Sequence, residues 1–163
     1  IKSYYNNPVD IKQKLLAMPL SENLINNIMN FYSKRGVGTF FSISFEREQE
    51  GKFYFSVEFP EQSLNPSGKI QGGMITSVLD DCTALSVIMT CEGRKFPNTI
   101  DFHTTFHRPL DLEPVKVESQ IIKLGKNVVS IEGKMFKRDN SLVASCLHTG
   151  ILFDTYGLKP QKI

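Results

Sequence analysis

The spacing of apolar residues along the chain changes from a helical period to a strand period within the first third of the sequence. Residues 9–32 carry helical spacing in two segments separated by Pro19, and Ser21 is placed to cap the second segment. From residue 39 onward apolar and polar side chains alternate, and Gly51 lies where two such runs meet. The pattern predicts two short N-terminal helices on the outside of the fold, followed by a β-hairpin.

A long helix with few charges is predicted next. Between residues 70 and 91 there is no Lys or Arg, and Asp80 and Asp81 are the only charged residues. At 100° per residue the apolar positions form one stripe, and the opposite side is small or apolar, so we expect a helix buried on most of its surface. The stripe consists of Ile75, Val78, Leu79, Cys82, Leu85, Ser86 and Met89.

The last third of the chain returns to the strand period. Because one face of every strand must bury its apolar side, this order favours an α+β fold in which an antiparallel sheet curls around the central helix. The predicted strands cover residues 98–107, 115–124, 127–137 and 142–153. The expected domains are a helical extension over residues 1–37, the sheet-and-helix domain over 38–156 and a tail over 157–163.

Composition narrows the functional classes. The chain has 163 residues and a net charge of +2 without a basic run, which argues against nucleic-acid binding. Its longest apolar run is far shorter than the roughly 20 residues that cross a bilayer, and residues 1–7 contain no apolar signal core. Three cysteines without a Cys-x-x-Cys pair suggest neither a disulfide framework nor a zinc site, so we expect a cytoplasmic protein. Motifs of serine hydrolases, zincins and nucleotide enzymes are absent from the sequence.

Two features at the predicted helix could carry chemistry. A carboxylate in a buried helix with no nearby cation persists when it has partners or acts as a base or nucleophile, which makes Asp80 a candidate. The alternative, weighted equally, is that Asp80 or Asp81 caps a loop or faces a subunit interface. The N–H groups of Gly72 and Gly73 would lie at the positive end of the helix, as in an oxyanion hole. From these residues alone, a plain loop-to-helix turn is a better supported interpretation of the two glycines than an oxyanion hole.

The stretch before the helix resembles a known family. The motif is Asn65-Pro-x-Gly68-x-x-Gln71-Gly-Gly73, followed after six residues by Asp80 and then by Thr99 on the next strand. It resembles the hotdog-fold thioesterases of the phenylacetate type, which carry Asn-x-x-Gly-x-x-His-Gly-Gly, an Asp in the same place and a Ser or Thr on the next strand. The resemblance extends over residues 40–153 and agrees with the predicted order of strands and helix.

The resemblance implies a hotdog fold and hydrolysis of acyl-CoA thioesters, with no cofactor beyond the CoA of the substrate. Asp80 would be the general base or nucleophile, and the amide of Gly72 or Gly73 would polarise the thioester carbonyl. Asn65 would orient the carbonyl or the attacking water, and Thr99 would hold that water.

Gln71 departs from the family pattern because it replaces the histidine of the motif. An amide can form hydrogen bonds but cannot exchange a proton near pH 7. The resemblance gives that histidine a positioning role, so the change puts the catalytic rate in doubt more than the fold.

The spacing within the helix predicts a site shared between two chains. Asp80 lies seven residues beyond Gly73, which is about 10 Å along a helix that rises 1.5 Å per residue. One helix therefore cannot bring both its N-terminal amides and its Asp80 to the same reacting atom. We expect Asp80 and Thr99 of one chain to face Asn65 and Gly72 of another. The resemblance implies the same, since hotdog thioesterases are dimers that often pair into tetramers.

Two groups of residues have alternative interpretations. Thr99, Asp101, His103, Thr105 and His107 are predicted to share one face of their strand, where a polar outer face or an inter-dimer surface is preferred to a metal site.

The basic residues Lys123, Lys126, Lys137 and Arg138 cluster at the turns that flank the strand predicted over residues 127–137. The resemblance implies that such loops receive the phosphates of coenzyme A. Solvated turn charge is an equal alternative.

The sequence therefore predicts an acyl-CoA thioesterase that acts as a homodimer or a dimer of dimers, with no metal, no nucleic-acid partner and no membrane span. The alternative from another class is a non-catalytic protein that binds or senses acyl-CoA. A hotdog dehydratase ranks last, because His103 and His107 lie away from the central helix.

Overall fold

The helices and strands follow the predicted order in the computed structural model, which describes residues 20–155. The first predicted N-terminal helix and the tail over 157–163 lie outside these residues. The elements are α1 (Glu22–Ser33), β1 (Ser42–Gln49), β2 (Lys52–Glu58), α2 (Gly72–Thr90), β3 (Lys95–Phe106), β4 (Val115–Leu124), β5 (Val128–Phe136) and β6 (Leu142–Asp154).

The six strands form one antiparallel sheet in the order β1-β2-β4-β5-β6-β3. Helix α2 packs on one face of this sheet, and the inward side chains of the strands bury the apolar stripe of the helix. The predicted α+β arrangement is confirmed. Strand β3 lies at one edge of the sheet, so β6 is its only neighbour within the described residues.

Helix α1 packs against the outside of the core, as predicted for the second N-terminal segment. Its start is fixed by Ser21, whose hydroxyl accepts a hydrogen bond from the N–H of Leu24 at 3.2 Å. Ile28 is buried in the core, and Tyr32 reaches α2 from the last turn of α1.

Helix α2 is the central helix, and all seven residues of the predicted stripe are buried. An 18-residue window of this 19-residue helix has a mean hydropathy of 1.2, so the helix is long and apolar enough to cross a membrane. However, 56% of that window is buried inside the fold, as in the core helix of a globular protein. Uninterrupted apolar runs in the sequence do not reveal this property, because Ser, Thr and Asp residues interrupt the helix. Its close approach to the sheet is permitted by Gly133 on β5, where an added Cβ would lie 2.9 Å from Cγ2 of Thr83.

A β-bulge interrupts β3. Thr99 pairs with Gly150 and Asp101 pairs with Thr149, so Ile100 is the extra residue. The prediction that Thr99 shares one face with Asp101 and the residues beyond it is therefore wrong. The bulge turns Thr99 toward α2, whereas Asp101, His103 and Thr105 lie on the opposite face.

Candidate active site

Asp80 lies on the side of α2 that faces the edge strand β3. Its side chain is 43% exposed in the single chain, so the prediction that it is buried is wrong. The reason is that position 80 points into a cleft beside β3 rather than into the sheet. The hydroxyl of Thr99 donates a hydrogen bond to Oδ1 of Asp80 at 3.0 Å. The structure thus brings Asp80 and Thr99 together, as the sequence predicted.

A third residue of this cluster, His148 on β6, was missed by the sequence analysis. Its Nε2 lies 3.0 Å from the hydroxyl of Thr99 and 3.7 Å from Oδ1 of Asp80. Its Nδ1 lies 2.8 Å from the hydroxyl of Thr83. The His148 side chain is 0% exposed, so it lies behind Asp80 and Thr99 and does not itself line the cleft. The alternation of residues along β6 could have indicated it, because Cys146, His148 and Gly150 all lie on the inner face of the sheet.

Burial lowers the pKa of His148, and the carboxylate of Asp80 acts in the opposite direction. A neutral ring with its proton on Nε2 completes a chain of hydrogen bonds that runs from Thr83 through His148 and Thr99 to the Asp80 carboxylate. If the ring is protonated, the hydroxyl of Thr83 donates instead to the carbonyl of Leu79 at 2.8 Å. The network therefore orients Asp80 in both protonation states of His148.

The start of α2 provides free backbone donors. Gln71 caps the helix, because its Oε1 accepts a hydrogen bond from the N–H of Met74 at 3.0 Å. Within residues 20–155, the N–H groups of Gly72 and Gly73 have no hydrogen-bond partner. The ring of Phe106 packs on Gly72, where an added Cβ would lie 3.2 Å from Cζ. Gln71 thus supplies a helix cap where the family carries histidine.

Asn65 holds the loop that leads into α2. Its Oδ1 accepts hydrogen bonds from the N–H groups of Ser67 and Lys69 and from the hydroxyl of Ser67. Gly68 completes this turn with a φ of 74°, a conformation that favours glycine. The oxygen of Asn65 is therefore committed to the loop, and the Nδ2 amide has no partner within the part of the chain that the structure describes.

Asp81, adjacent to Asp80, is the more buried of the two carboxylates. Its Oδ2 accepts a hydrogen bond from the hydroxyl of Tyr32 at 2.7 Å. Burial raises the pKa of Asp81 to about 6, against the effect of this hydrogen bond, and the charge of Asp80 adds to the increase. No catalytic role was expected for the N-terminal helices, yet Tyr32 of α1 lines the same cleft as Asp80 and Asp81.

The four predicted basic residues do not form one cluster in the chain. Lys123 at the end of β4 and Lys126 in the turn after it lie at one end of β5, whereas Lys137 and Arg138 lie at the turn between β5 and β6. These turns are at opposite ends of the nine-residue strand β5, whose ends are about 27 Å apart at 3.4 Å per residue. The prediction of a single cluster is wrong because it overlooked the length of the strand between the turns.

Lys137 lies at the same end of the fold as the start of α2. Its Nζ is 3.5 Å from Glu113 and 3.8 Å from Asp111, and Asp111 also pairs with Lys69. On the outer face of β3, Asp101 and His103 are exposed, and His107 contacts the hydroxyl of Ser145 at 2.9 Å. No group of three His, Cys, Asp or Glu side chains among residues 20–155 could hold a metal ion.

The comparisons with known proteins agree with this architecture. The family profile of the thioesterase superfamily matches residues 68–144. A Thermoplasma volcanium protein, named as a candidate esterase, is 30% identical over 69% of this chain and 84% of its own length. The chain belongs to the thioesterase superfamily.

Solved structures of this superfamily share the fold of the chain. The Escherichia coli PaaI protein, from the phenylacetic acid degradation operon, superposes with a TM-score of 0.71 at 17% identity, covering 82% of this chain and 96% of PaaI. A Streptococcus mutans protein bound to acetyl-CoA superposes with a TM-score of 0.63 at 16% identity, covering 70% of this chain and 90% of its own. The hotdog fold and the predicted resemblance to PaaI-type thioesterases are confirmed.

Proposed function

We propose that this protein hydrolyses acyl-CoA thioesters to a free acid and coenzyme A. Asp80 takes a proton from a water molecule that attacks the thioester carbonyl carbon, and the resulting oxyanion is stabilised by the N–H of Gly72. Collapse of the tetrahedral intermediate breaks the carbon–sulfur bond, and the leaving thiolate takes the proton from Asp80. Family membership and the hydrogen bond between Thr99 and Asp80 at the cleft support this assignment.

The second part of the proposal is that each site is shared by two chains. Gly72 and Asp80 lie eight residues apart on one helix, about 12 Å at 1.5 Å per residue, so they cannot serve one carbonyl within a chain. The half-exposed Asp80 lies beside β3, whose outer edge has no partner strand within residues 20–155 and could pair with a second copy. We therefore assign Asp80 and Thr99 of one protomer and Gly72 and Asn65 of its partner to one site.

We assign the CoA phosphates to the basic end of the fold nearest the start of α2. Lys137 and Arg138 lie there, and Lys69 precedes the helix by three residues. The pair Lys123 and Lys126 lies at the other end of β5, away from the start of α2. The Streptococcus mutans structure with acetyl-CoA supports coenzyme A as the ligand class.

The deciding experiment compares thiol release from a panel of acyl-CoA thioesters by the wild type, Asp80→Asn and Asp101→Asn. Asparagine keeps an oxygen for Thr99 but cannot accept the proton, so we expect kcat to fall by about 10²-fold or more in Asp80→Asn. Asp101→Asn removes an exposed carboxylate on the other face of the sheet and should retain wild-type kcat. Binding of a non-hydrolysable thioether analogue should persist in all three proteins.

Binding without turnover in the wild type would overturn the enzymatic proposal and favour the non-catalytic acyl-CoA binding protein. That alternative draws support from Gln71, which replaces the family histidine and is engaged as a helix cap.

Sharing of the site is tested by complementation. Gly72→Pro removes one N–H, and proline is compatible there because Gln71 before it has an extended conformation. Gly72→Ala is the matched control, since it adds the same Cβ against Phe106 but keeps the N–H. Refolding Asp80→Asn together with Gly72→Pro should restore about a quarter of wild-type activity, because half of the dimers are mixed and each has one intact site. No recovery in a mixed dimer would contradict a shared site.

A further inference from the structure

A carboxylate that the proposed reaction does not use lines the cleft beside Asp80. The cleft has a volume of about 430 Å³, and Asp81 and Tyr32 form a hydrogen-bonded pair in its wall. Apart from Asp80, Asn98 and Thr99, the other lining residues are apolar: Ala84, Leu85, Ile88, Phe96 and Pro97. No Lys, Arg or His lines the cleft, so the Asp81 charge is not neutralised there.

The pair of Asp81 and Tyr32 offers hydrogen-bond acceptors and no free donor. The single hydroxyl proton of Tyr32 is donated to Oδ2 of Asp81. Oδ1 of Asp81 has no partner within residues 20–155, and the Tyr32 oxygen keeps lone pairs that can accept. A ligand that satisfies this pair must therefore supply a donor.

Burial of this carboxylate is unfavourable for the fold. It raises the pKa of Asp81 to about 6, so the group is still ionised at pH 7 although its surroundings favour the neutral form. An apolar residue would suit the neighbouring Leu85 and Ile88 better. A costly charge in the wall of a substrate cleft is typical of a residue that contacts the ligand.

We propose that Asp81 and Tyr32 bind a hydroxyl group on the acyl part of the substrate, which makes hydroxyacyl thioesters the preferred substrate class. This inference rests on the proposed thioesterase function. A hydroxyl fits better than an ammonium group because the remaining cleft wall is apolar, and a neutral donor loses its water at a smaller cost. An anionic acyl group is disfavoured by the two carboxylates.

The position of Asp81 indicates where the hydroxyl lies on the acyl chain. Asp81 follows Asp80 directly, so it belongs to the end of the cleft where the thioester reacts. Ala84 and Ile88 lie one and two turns further along α2, about 6 and 12 Å from Asp80, and provide an apolar floor for the rest of the chain. The hydroxyl is therefore expected on a carbon close to the carbonyl, such as C3, rather than at the far end.

The test compares kcat/KM for hexanoyl-CoA, both enantiomers of 3-hydroxyhexanoyl-CoA, 3-methoxyhexanoyl-CoA and 6-hydroxyhexanoyl-CoA. The wild type should prefer one 3-hydroxy enantiomer at least tenfold over both the unsubstituted and the methoxy substrate, because only the hydroxyl donates to a charged acceptor. In Asp81→Asn, Tyr32 holds the amide oxygen and the amide NH₂ faces the cleft. The ratio of hydroxy to methoxy substrate should then fall to about threefold or less.

Asp101→Asn is the matched control and should keep the wild-type ratio. A wild-type ratio near one, or a ratio unchanged in Asp81→Asn, would overturn the proposal even if every thioester is hydrolysed. If no thioester is hydrolysed, the proposed function fails instead. In that case, Kd values of the corresponding thioether analogues are compared in the wild type and in Asp81→Asn. Tighter binding of the hydroxy analogue that depends on Asp81 would support the hydroxyl-binding site in a protein without turnover.

Discussion

Replacing the Asp81 carboxylate by an amide measures how much stability the fold loses by burying that charge. Burial raises the pKa of Asp81 to about 6 from its usual value of 3.8. At 1.36 kcal/mol per pH unit, this difference corresponds to an upper limit of about 3 kcal/mol at pH 7. Because Asp81 is half-buried and water screens part of the charge, we expect Asp81→Asn to raise the free energy of unfolding by about 1–2 kcal/mol.

The gain should depend on pH in a defined direction. The unfolded chain loses the Asp81 proton near pH 4 and the folded chain near pH 6, so between these values the folded state binds more protons. The contribution of Asp81 to wild-type stability therefore falls as the pH rises from about 4 to about 6 and is constant above. Asparagine does not titrate, so the advantage of the variant should be small near pH 4 and complete above pH 6.

Urea unfolding followed by circular dichroism at a fixed protein concentration suits this chain, which contains no Trp. Wild type and Asp81→Asn are compared at pH 4.5, 6 and 7.5, with Asp101→Asn as a control that should stay within about 0.5 kcal/mol of the wild type. A variant that is no more stable at pH 7.5, or that is equally stabilised at pH 4.5, would refute the electrostatic reasoning.

Two further substitutions test the network behind Asp80 and the packing of α2 on the sheet. Thr99→Val keeps the side-chain shape but removes the hydrogen bonds to Asp80 and His148, so kcat should fall by about 10- to 100-fold with little change in KM. A raised KM with unchanged kcat in steady-state assays would argue against this positioning role. Gly133→Ala places a methyl group 2.7 Å from Sγ of Cys146 and 2.9 Å from Cγ2 of Thr83, so it should lower the free energy of unfolding by about 1–3 kcal/mol. An unchanged midpoint of urea unfolding would show that the helix can move away from the sheet.

The fold could be predicted because its signals are local. The period of two fixes which side chains of a strand face inward, and the predicted strand over residues 115–124 has the observed bounds of β4. The stripe on α2 follows from the helical period, and Ser21 marks the start of α1 through its side-chain oxygen. Each of these features depends on residues within a few positions of one another.

The site could be predicted only in part, because it depends on contacts between distant residues. Asp80 and Asp81 are adjacent in sequence, and their different environments are set by Tyr32, which lies 49 residues from Asp81. His148 meets Thr83 across 65 residues, a contact fixed by the register of β6 against its neighbours. Sequence periodicity shows that His148 faces inward but not which helix residue it meets.

The bulge at Ile100 decides which face of β3 carries the Thr99 hydroxyl. Thr99 and Phe102 are three positions apart, so in a regular strand their side chains would lie on opposite faces, and the extra residue brings both to the face of α2. A regular β3 with Phe102 still packed on His148 would carry the Thr99 hydroxyl to the outer face and leave Asp80 without its hydrogen-bond donor. The orientation of Asp80 therefore depends on a backbone irregularity that the alternation of side chains in the sequence does not show.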